Sequence, residues 1–316
     1  MVKKQPIFTP LTSLDDPTRH LQDYLFSIKL AQFQTTVTKE SLVFYSVSFL
    51  FSTIIRAFNM SDKQKVTNPK EWLQARLAVL EKEKQHAQQA ALIAQEIRNL
   101  PKVLVTEPYK FDAAPSVLGG APATVSLKDL FGDKSQLIVY HFMFSPEDED
   151  GCWGCSFQAG NFPDLRYLAE KDTALAVVSR APISKIAAFQ AANRWTKAFP
   201  WYSSLNSSFN YDFQATLDPA VKTPVEYSYK QVDTTKFPMG EQPGFSVFAL
   251  GRDDGQVYHT YSTYQALDRF HQTYTYLDIT PKGRQEGPMG PAGFKLPRDW
   301  YEAEEEEEKK GEKSDE

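Results

Sequence analysis

The 316-residue chain contains 41% hydrophobic and 24% charged residues, a balance typical of globular proteins that excludes collagen-like, fibrous and wholly disordered chains. Its two cysteines exclude a disulfide-stapled secreted scaffold, and its net charge of −5 argues against a nucleic-acid-binding protein. The negative charge is concentrated in residues 302–316, which hold nine acidic and three basic side chains, so the remainder is almost neutral.

Residues 1–60 are predicted to form a poorly structured N-terminal extension. Their apolar run, residues 42–55, would span only ~21 Å as a helix, short of the ~30 Å hydrocarbon core of a membrane. A secretory signal would place such a run closer to the N-terminus, so we expect neither a stable membrane span nor a signal peptide. Three interpretations stay open: a weakly structured or non-native extension ahead of a second plausible start at Met60, a membrane-associated or targeting segment, and a genuine structural element.

A long helix is predicted over residues 66–100. Asn68 supplies an N-cap, Pro69 suits the first helical position, and Glu71 completes a capping box. Leucines and then alanines follow at three- and four-residue spacing, and Pro101 ends the pattern. We expect this narrow apolar stripe to pack on the main domain; pairing with a second copy, and hence a homodimer, is the alternative.

Residues 101–300 alternate buried strands with helices, which predicts an α/β domain. Two segments, 137–144 and 173–179, are almost continuously apolar, as central strands covered on both faces are. Helices are expected at 155–168 (divided by Pro163), 182–194 and 264–276, and strands 245–250 and 257–261 flank the turn Asp253-Asp-Gly255. This order implies a central mixed sheet, part parallel and part antiparallel, flanked by helices.

The acidic residues 301–316 are predicted to form a disordered tail, because they have too little apolar surface to offset the entropy of ordering. A solubilising end is the simplest role, and a docking tail for a basic partner is the alternative. The predicted architecture is therefore a mixed α/β sheet domain preceded by a long helix and followed by this tail.

Both cysteines lie in one motif, Gly151-Cys152-Trp153-Gly154-Cys155, between a predicted buried strand and a helix. In the first turn of a helix this spacing brings two thiols within disulfide reach, and the free N–H groups of the helix N-terminus favour a thiolate at Cys152. That thiolate would attack a disulfide or a peroxide, and Cys155 would resolve the intermediate. A zinc half-site would need two further ligands from scattered histidines or carboxylates, and inert core thiols do not suit the polar loop 145–151. The motif therefore favours redox chemistry without a bound metal or cofactor.

Several unusual clusters resemble a thioredoxin-like family whose members are usually labelled predicted dithiol–disulfide oxidoreductases. They are LIVYHFMFSPEDEDGCWGCSF at 137–157, VSRAP at 178–182, FPWYSS at 199–204, FNYDF at 209–213 and HTYST at 259–263. The resemblance covers residues 71–300. It implies a thioredoxin-like fold and a cytoplasmic dithiol enzyme, and it supplies no substrate. We expect a thiol reductant such as a thioredoxin or glutathione system to supply the electrons.

The motif departs from better-known relatives in two ways. Thioredoxins carry Gly-Pro between their cysteines, whereas this chain carries Trp153-Gly154, so their redox poise does not transfer. Peroxiredoxins place a threonine or serine between a proline and the peroxidatic cysteine, whereas only acidic residues and a glycine separate Pro146 from Cys152. The acidic run 147–150 should also raise the pKa of the Cys152 thiol, so a nearby cation is expected to offset it.

Two further polar residues are predicted to serve the cysteines. Arg180 follows the strand 173–179 at the sheet edge that carries the motif, where it would stabilise the Cys152 thiolate or orient an acceptor. Pairing of Arg180 with a carboxylate of the acidic run is the alternative. His141 would be either a general base for Cys155 or a hydrogen-bonded core histidine, and the core role is favoured.

Trp153 and Pro243 are predicted to contact the substrate. Pro243 would be either the cis proline that thioredoxin-like folds place opposite the cysteines or a plain turn proline. Aromatic residues also crowd into 195–213 and recur over 258–276, where a packed core is favoured over a flat groove for an aromatic or quinone-like ligand.

The sequence thus predicts a dithiol–disulfide oxidoreductase with a disulfide or peroxide substrate and an external thiol reductant. One alternative is a thiol peroxidase in which peroxide oxidises Cys152 to a sulfenic acid and Cys155 closes the disulfide. The other is a non-enzymatic binding module that uses the aromatic face. No nucleic-acid partner is expected, because few basic residues lie among the aromatic ones.

Overall fold

The computed structural model describes residues 65–115, 123–287 and 290–304, so the predicted extension 1–60 lies outside the described residues. The α-helices are α1 Pro69–Arg98, α2 Trp153–Gly160, α3 Leu165–Ala169, α4 Ile183–Ala192, α5 Phe209–Asp212 and α6 Gln272–Leu277. The strands are β1 Val103–Leu104, β2 Lys110–Ala113, β3 Ala123–Ser126, β4 Gln136–His141, β5 Thr173–Ser179, β6 Trp201–Ser203, β7 Thr216–Leu217, β8 Glu226–Tyr227, β9 Lys230–Gln231, β10 Gly240–Glu241, β11 Gly244–Leu250 and β12 Val257–Thr263. None of the helices in these ranges is long and apolar enough to span a membrane.

The main sheet has the strand order β1-β12-β11-β4-β5-β6-β2-β3. Its centre is parallel, because β4 pairs with β5 and β5 pairs with β6 in the same direction. The hairpin β11–β12 adds antiparallel on the other side of β4. A parallel strand–helix–strand unit with an antiparallel hairpin beside its first strand is the thioredoxin-like arrangement, so the predicted fold class is confirmed.

Side chains of the central strands alternate between the two faces of the sheet and fill two cores. On one face Tyr140 packs with the aromatic residues of the segments around α2 and α4, and Cys155 belongs to this core. On the other face Leu137 and Val139 pack with Phe111 and Phe209. The sheet is therefore covered on both sides, which explains why β4 and β5 are almost continuously apolar.

Several predicted elements are present with nearly the predicted boundaries. The strand β5 covers residues 173–179 as predicted, and a break at Pro163 separates α2 from α3. The strand β4 ends at His141, three residues before the end of the apolar run, because the chain then turns towards the dithiol motif. The predicted helix 264–276 is instead a 3₁₀ turn, Leu267–Phe270, followed by α6.

The long helix α1 begins and ends close to the predicted residues. The Asn68 side chain accepts hydrogen bonds from the N–H groups of Lys70 and Glu71, which confirms the predicted cap. No residue of α1 is buried, and Trp72 and Leu77 are more than half exposed. The expectation that its apolar stripe packs on the main domain is therefore wrong, and pairing with a second copy stays a prediction.

The C-terminal helical segment extends into the predicted tail. Residues 297–304 are helical, and the Arg194 guanidinium carbon lies 3.8 Å from the centre of the Tyr301 ring. This contact gives residues 301–304 an anchor that acidic composition alone does not reveal. Residues 305–316 lie outside the described residues.

Candidate active site

The dithiol motif follows β4 and opens α2, so it lies at the carboxyl end of the parallel strands. A Cβ atom at Gly151 would lie 2.8 Å from Cε1 of Phe142 and 3.0 Å from Cε1 of Phe189, so a larger residue would force these rings to move. The backbone N–H of Cys152 donates to the carbonyl oxygen of Met143 at 3.0 Å. These contacts hold the start of α2 close against the sheet.

The two thiols of the motif differ in exposure. Cys152 is the N-cap residue of α2 and is partly exposed, whereas Cys155 is buried, with 2% of its surface accessible. Both are free thiols, and the two cysteines approach each other to 3.8 Å. Solvent therefore reaches one thiol while its neighbour is shielded, at a separation that a disulfide bond could close with a small movement.

The pKa of Cys152 is lowered from its ordinary value of 9.0 to about 6. The largest cause is a hydrogen bond from the Cys155 thiol, and the backbone N–H groups of Cys155 and Gly154 at the helix N-terminus add to it. Partial burial and the Asp148 carboxylate oppose these effects and raise the pKa. Because the hydrogen bonds dominate, Cys152 is largely a thiolate at neutral pH.

The pKa of Cys155 is shifted in the opposite direction, well above its ordinary value. Burial is the largest cause, followed by the hydrogen bond that the Cys155 thiol donates to Cys152 and then by repulsion from the negative charge of that sulfur. A hydrogen bond from the Tyr140 hydroxyl and one from the Met143 N–H, at 3.4 Å, oppose the shift in part. Cys155 is therefore a protonated thiol in the resting dithiol.

The acidic loop before the motif is ordered by its own hydrogen bonds and by two cations. The Asp148 carboxylate accepts from the backbone N–H of Ser145 at 2.8 Å. Lys185 donates to two loop carbonyl oxygens at 2.8 Å each, and Arg298 grips Asp150 through two hydrogen bonds of 2.9 and 2.6 Å. The cations that contact the acidic loop are thus Lys185 and Arg298, neither of which was predicted from the sequence.

Arg180 lies at the predicted end of β5 but has a different partner from those expected. Its Nη1 is 3.1 Å from Oε1 of Glu241, a carboxylate that also accepts from the Thr216 hydroxyl at 2.7 Å. The guanidinium also lies over the Tyr211 ring at 4.8 Å. Within the described residues the ion pair of Arg180 is with Glu241 and not with the acidic loop, so the predicted pairing with that loop is corrected. The guanidinium of Arg180 instead forms its salt bridge with Glu241, which is distant in the sequence. Arg180 is not among the main causes of the lowered pKa of Cys152, and orientation of an acceptor by Arg180 stays a prediction.

His141 lies on the opposite face of the sheet from the cysteines. Its Nε2 is 2.8 Å from the Ser246 hydroxyl, its ring packs 5.6 Å from that of Phe209, and burial lowers its pKa to about 3. Because successive residues of a strand point to opposite faces, Tyr140 faces Cys155 and His141 does not. The general-base role is therefore wrong, and the favoured alternative of a hydrogen-bonded core histidine is confirmed.

Trp153 and Pro243 flank the edge of the sheet where the motif lies. Trp153 is 43% exposed beside Cys152, and Pro243 precedes Gly244, which pairs with the last residue of β4. The cis peptide bond of the described residues is Thr223–Pro224, so Pro243 is not the cis proline of the thioredoxin-like pattern. Contact of Trp153 and Pro243 with a substrate stays a prediction. Within the described ranges, no cluster of three or more His, Cys, Asp or Glu side chains could hold a metal ion.

Residues 61–307 match a protein family described as "Bacterial protein of unknown function (DUF899)". The chain belongs to this family. No curated protein matches the DUF899 chain. Solved structures similar to it include peroxiredoxin Q from Xanthomonas campestris (15% identity, TM-score 0.35, covering 58% of this chain and 99% of that chain), AhpC from Enterococcus faecalis (14%, 0.34, 56% and 93%) and peroxidoxin BcpB from Mycobacterium tuberculosis (18%, 0.30, 54% and 96%). The family description names no activity, so the dithiol–disulfide oxidoreductase activity remains a proposal.

Two tyrosines of the DUF899 site were not predicted from the sequence. Tyr140 lies inside the apolar run of β4, where apolar residues on both faces give no sign of which side chain faces Cys155. Tyr227 lies in β8; burial and then Cys155 raise its pKa to about 12, and its hydroxyl donates to the carbonyl oxygen of Tyr264 at 3.0 Å. The segment between β7 and β10 that carries Tyr227 has no regular sequence pattern, so nothing in the sequence signals its approach to Cys155.

The pH dependence of alkylation tests the ionisation of Cys152. With reduced DUF899 protein and iodoacetamide, we expect the rate at Cys152 to rise with pH around a midpoint of about 6 and then level off, because the thiolate is the reactive form. In Cys155→Ala the midpoint should move upward, since the largest cause of the lowered pKa is lost. Quenched samples analysed by mass spectrometry give the rates.

The variant Asp148→Asn is the matched control for this experiment. Its midpoint should move downward, because the carboxylate raises the pKa of Cys152. Equal midpoints in the wild-type protein and Cys155→Ala would contradict the assigned cause of the low pKa.

Proposed function

We propose that this DUF899 protein is a thiol–disulfide oxidoreductase in which Cys152 is the attacking thiolate and Cys155 the resolving thiol. The observation that carries the proposal is the contrast between two neighbouring thiols: Cys152 is partly exposed at the N-terminus of α2 and has a lowered pKa, whereas Cys155 is buried and has a raised pKa. Inert core thiols would both be buried and both be protonated. Thiol–disulfide exchange instead needs a reactive first thiol and a protected second one.

The reaction proceeds in two exchange steps. In the first, the Cys152 thiolate attacks one sulfur of a substrate disulfide, a bond to Cys152 forms, the substrate S–S bond breaks, and the released thiolate takes a proton from water. In the second, the Cys155 sulfur attacks the Cys152 sulfur and expels the second substrate thiolate, which gains the proton that Cys155 loses. The dithiol is oxidised by two electrons and the substrate is reduced to two thiols. An external thiol reductant, such as a thioredoxin or glutathione system, returns the electrons without a bound cofactor.

The exposed surface beside Cys152 is where a substrate would bind. Trp153 presents an aromatic ring there, and we assign it and Pro243 to contacts with the substrate. We do not assign Arg180 the role of stabilising the Cys152 thiolate, because its positive charge is already paired with Glu241.

Trapping of the intermediate tests the proposed function. We expect Cys155→Ala, incubated with oxidised glutathione, to carry one glutathione adduct on Cys152, because the second step cannot occur. The wild-type protein should lose two hydrogens and carry no adduct, and Cys152→Ser should carry no adduct either. Intact-mass spectrometry distinguishes these products.

The same experiment with hydrogen peroxide separates the alternatives. Oxidation of Cys152 by stoichiometric peroxide that outpaces glutathione adduct formation would replace the proposal with a thiol peroxidase. Absence of reaction with both oxidants would leave a binding module with structural thiols and overturn the proposed function.

A further inference from the structure

We propose that Tyr140 is a catalytic residue of the second exchange step, in which its hydroxyl donates a hydrogen bond to the Cys155 sulfur and stabilises the negative charge that develops there. This inference rests on the proposed function, in which the Cys155 sulfur attacks the mixed disulfide between Cys152 and the substrate. It assigns a catalytic role to a residue outside the dithiol motif, and that residue is not His141, the base considered from the sequence.

The position of Tyr140 is fixed by its surroundings. The residue is 1% exposed on β4, and its ring centre lies 4.8 Å from that of Phe245 and 5.6 Å from that of Phe162. Tyr140 and Cys155 are buried in the same core, and a hydrogen bond between their side chains raises the pKa of Tyr140 and lowers that of Cys155. The Met143 N–H donates to the same sulfur at 3.4 Å. Two donors thus converge on one buried sulfur, although a neutral thiol is only a weak acceptor. Hydrogen bonds from such donors are strongest when the sulfur carries negative charge.

The groups around Cys155 make a hydrogen-bond donor more useful than a base. The groups with the largest influence on its ionisation are Cys152, Tyr140 and the Met143 N–H, and Tyr227 also interacts with it electrostatically. Within the part of the chain that the structure describes, none of these main influences is a carboxylate or a histidine. Burial raises the pKa of Tyr140 well above its ordinary value, with Cys155 and Cys152 contributing, so the hydroxyl keeps its proton at neutral pH.

The chemistry of the step follows from this environment. In the mixed disulfide, Cys152 is bonded to the substrate sulfur and no longer carries charge, so Cys155 loses the neighbour that repelled its thiolate. The Cys155 sulfur forms a bond to Cys152, the Cys152–substrate bond breaks, and the proton of Cys155 goes to the departing substrate thiolate. Tyr140 gives up no proton; it holds charge on Cys155 while the bond forms.

A two-phase reaction with the chromogenic disulfide dithiobis(nitrobenzoate) tests the inference. The first equivalent of coloured thiolate reports attack by Cys152, and the second reports resolution by Cys155. We expect Tyr140→Phe to leave the rate and pH profile of the first phase close to those of the wild-type protein. The second phase should slow roughly 10- to 100-fold, as expected when a hydrogen bond to a charged group is lost, and its pH profile should move to higher pH. Tyr202→Phe, which removes a buried hydroxyl from the opposite face, should change neither phase.

A ring-fluorinated tyrosine at position 140 gives a second test that preserves packing. It keeps the hydroxyl and makes it a stronger donor, so the second phase should become faster than in Tyr140→Phe and no slower than in the wild-type protein. A second phase in Tyr140→Phe with the wild-type rate and pH profile would overturn the role of Tyr140 and leave the proposed function standing. Equal slowing of both phases would also overturn it, since that result indicates a structural role. Absence of the first phase in the wild-type protein would overturn the proposed function and this inference with it.

Discussion

Replacement of Cys152 by serine is expected to abolish disulfide turnover, with a loss of at least about 1000-fold, because a serine hydroxyl neither ionises at neutral pH nor forms a mixed disulfide. Cys155→Ala should slow turnover sharply, because only dithiothreitol can then release the mixed disulfide, but each protein molecule should still make one attack through Cys152. Reduction of insulin disulfides with dithiothreitol as the electron source measures both variants against the wild-type protein.

The fold of Cys152→Ser serves as its own control. Serine is a favourable N-cap residue, and Cys152 occupies the N-cap of α2, so we expect the variant to unfold at a denaturant concentration close to that of the reduced wild-type protein. Retained turnover in a variant folded to this standard would show that Cys152 is not the nucleophile.

Trp201→Ala is expected to cost about 3–5 kcal/mol of the free energy of unfolding, because it removes a large side chain from the centre of one core. Trp201 is fully buried, its ring centre lies 4.5 Å from that of Phe142, and its Nε1 donates to the Ser179 hydroxyl at 3.0 Å. Loss of the indole also removes a packing partner of Phe142, the ring that lies against Gly151. Urea unfolding of the reduced protein measures the change.

Trp153→Ala is the matched control, since it truncates the same side-chain type where it is 43% exposed. We expect a change in unfolding free energy within about 0.5 kcal/mol. Equal losses for the two tryptophans would contradict the assignment of Trp201 to the core and Trp153 to the substrate surface.

Local signals in the sequence were sufficient for the centre of the fold. The strand β5 is a short apolar run with clear ends. Pro163 predicts a break, because proline disrupts the interior of a helix, and Asp253-Asp-Gly255 predicts a turn. Each of these depends on residues within a few positions of one another. The dithiol motif belongs to the same class, because its spacing and its place between strand and helix are both local.

Contacts between distant segments were beyond reach of the same reasoning. Arg180 pairs with Glu241, 61 positions away, and Arg298 grips Asp150 across 148 positions. No periodicity or composition links such residues, so the partner of Arg180 could not be predicted. Tyr140 was missed for a related reason: β4 is apolar on both faces, and its sequence does not say which face carries the motif.

The burial of Cys155 has a consequence for the order of events in the proposed catalytic cycle. Since only Cys152 is open to solvent, the oxidised protein must be attacked at the sulfur that earlier attacked the substrate. The electron donor and the electron acceptor must therefore bind at the same site, beside Cys152, one after the other and not at the same time. Such a cycle has double-displacement (ping-pong) kinetics. An excess of the donor or of the acceptor should inhibit the reaction, because it occupies the binding site that the other one requires.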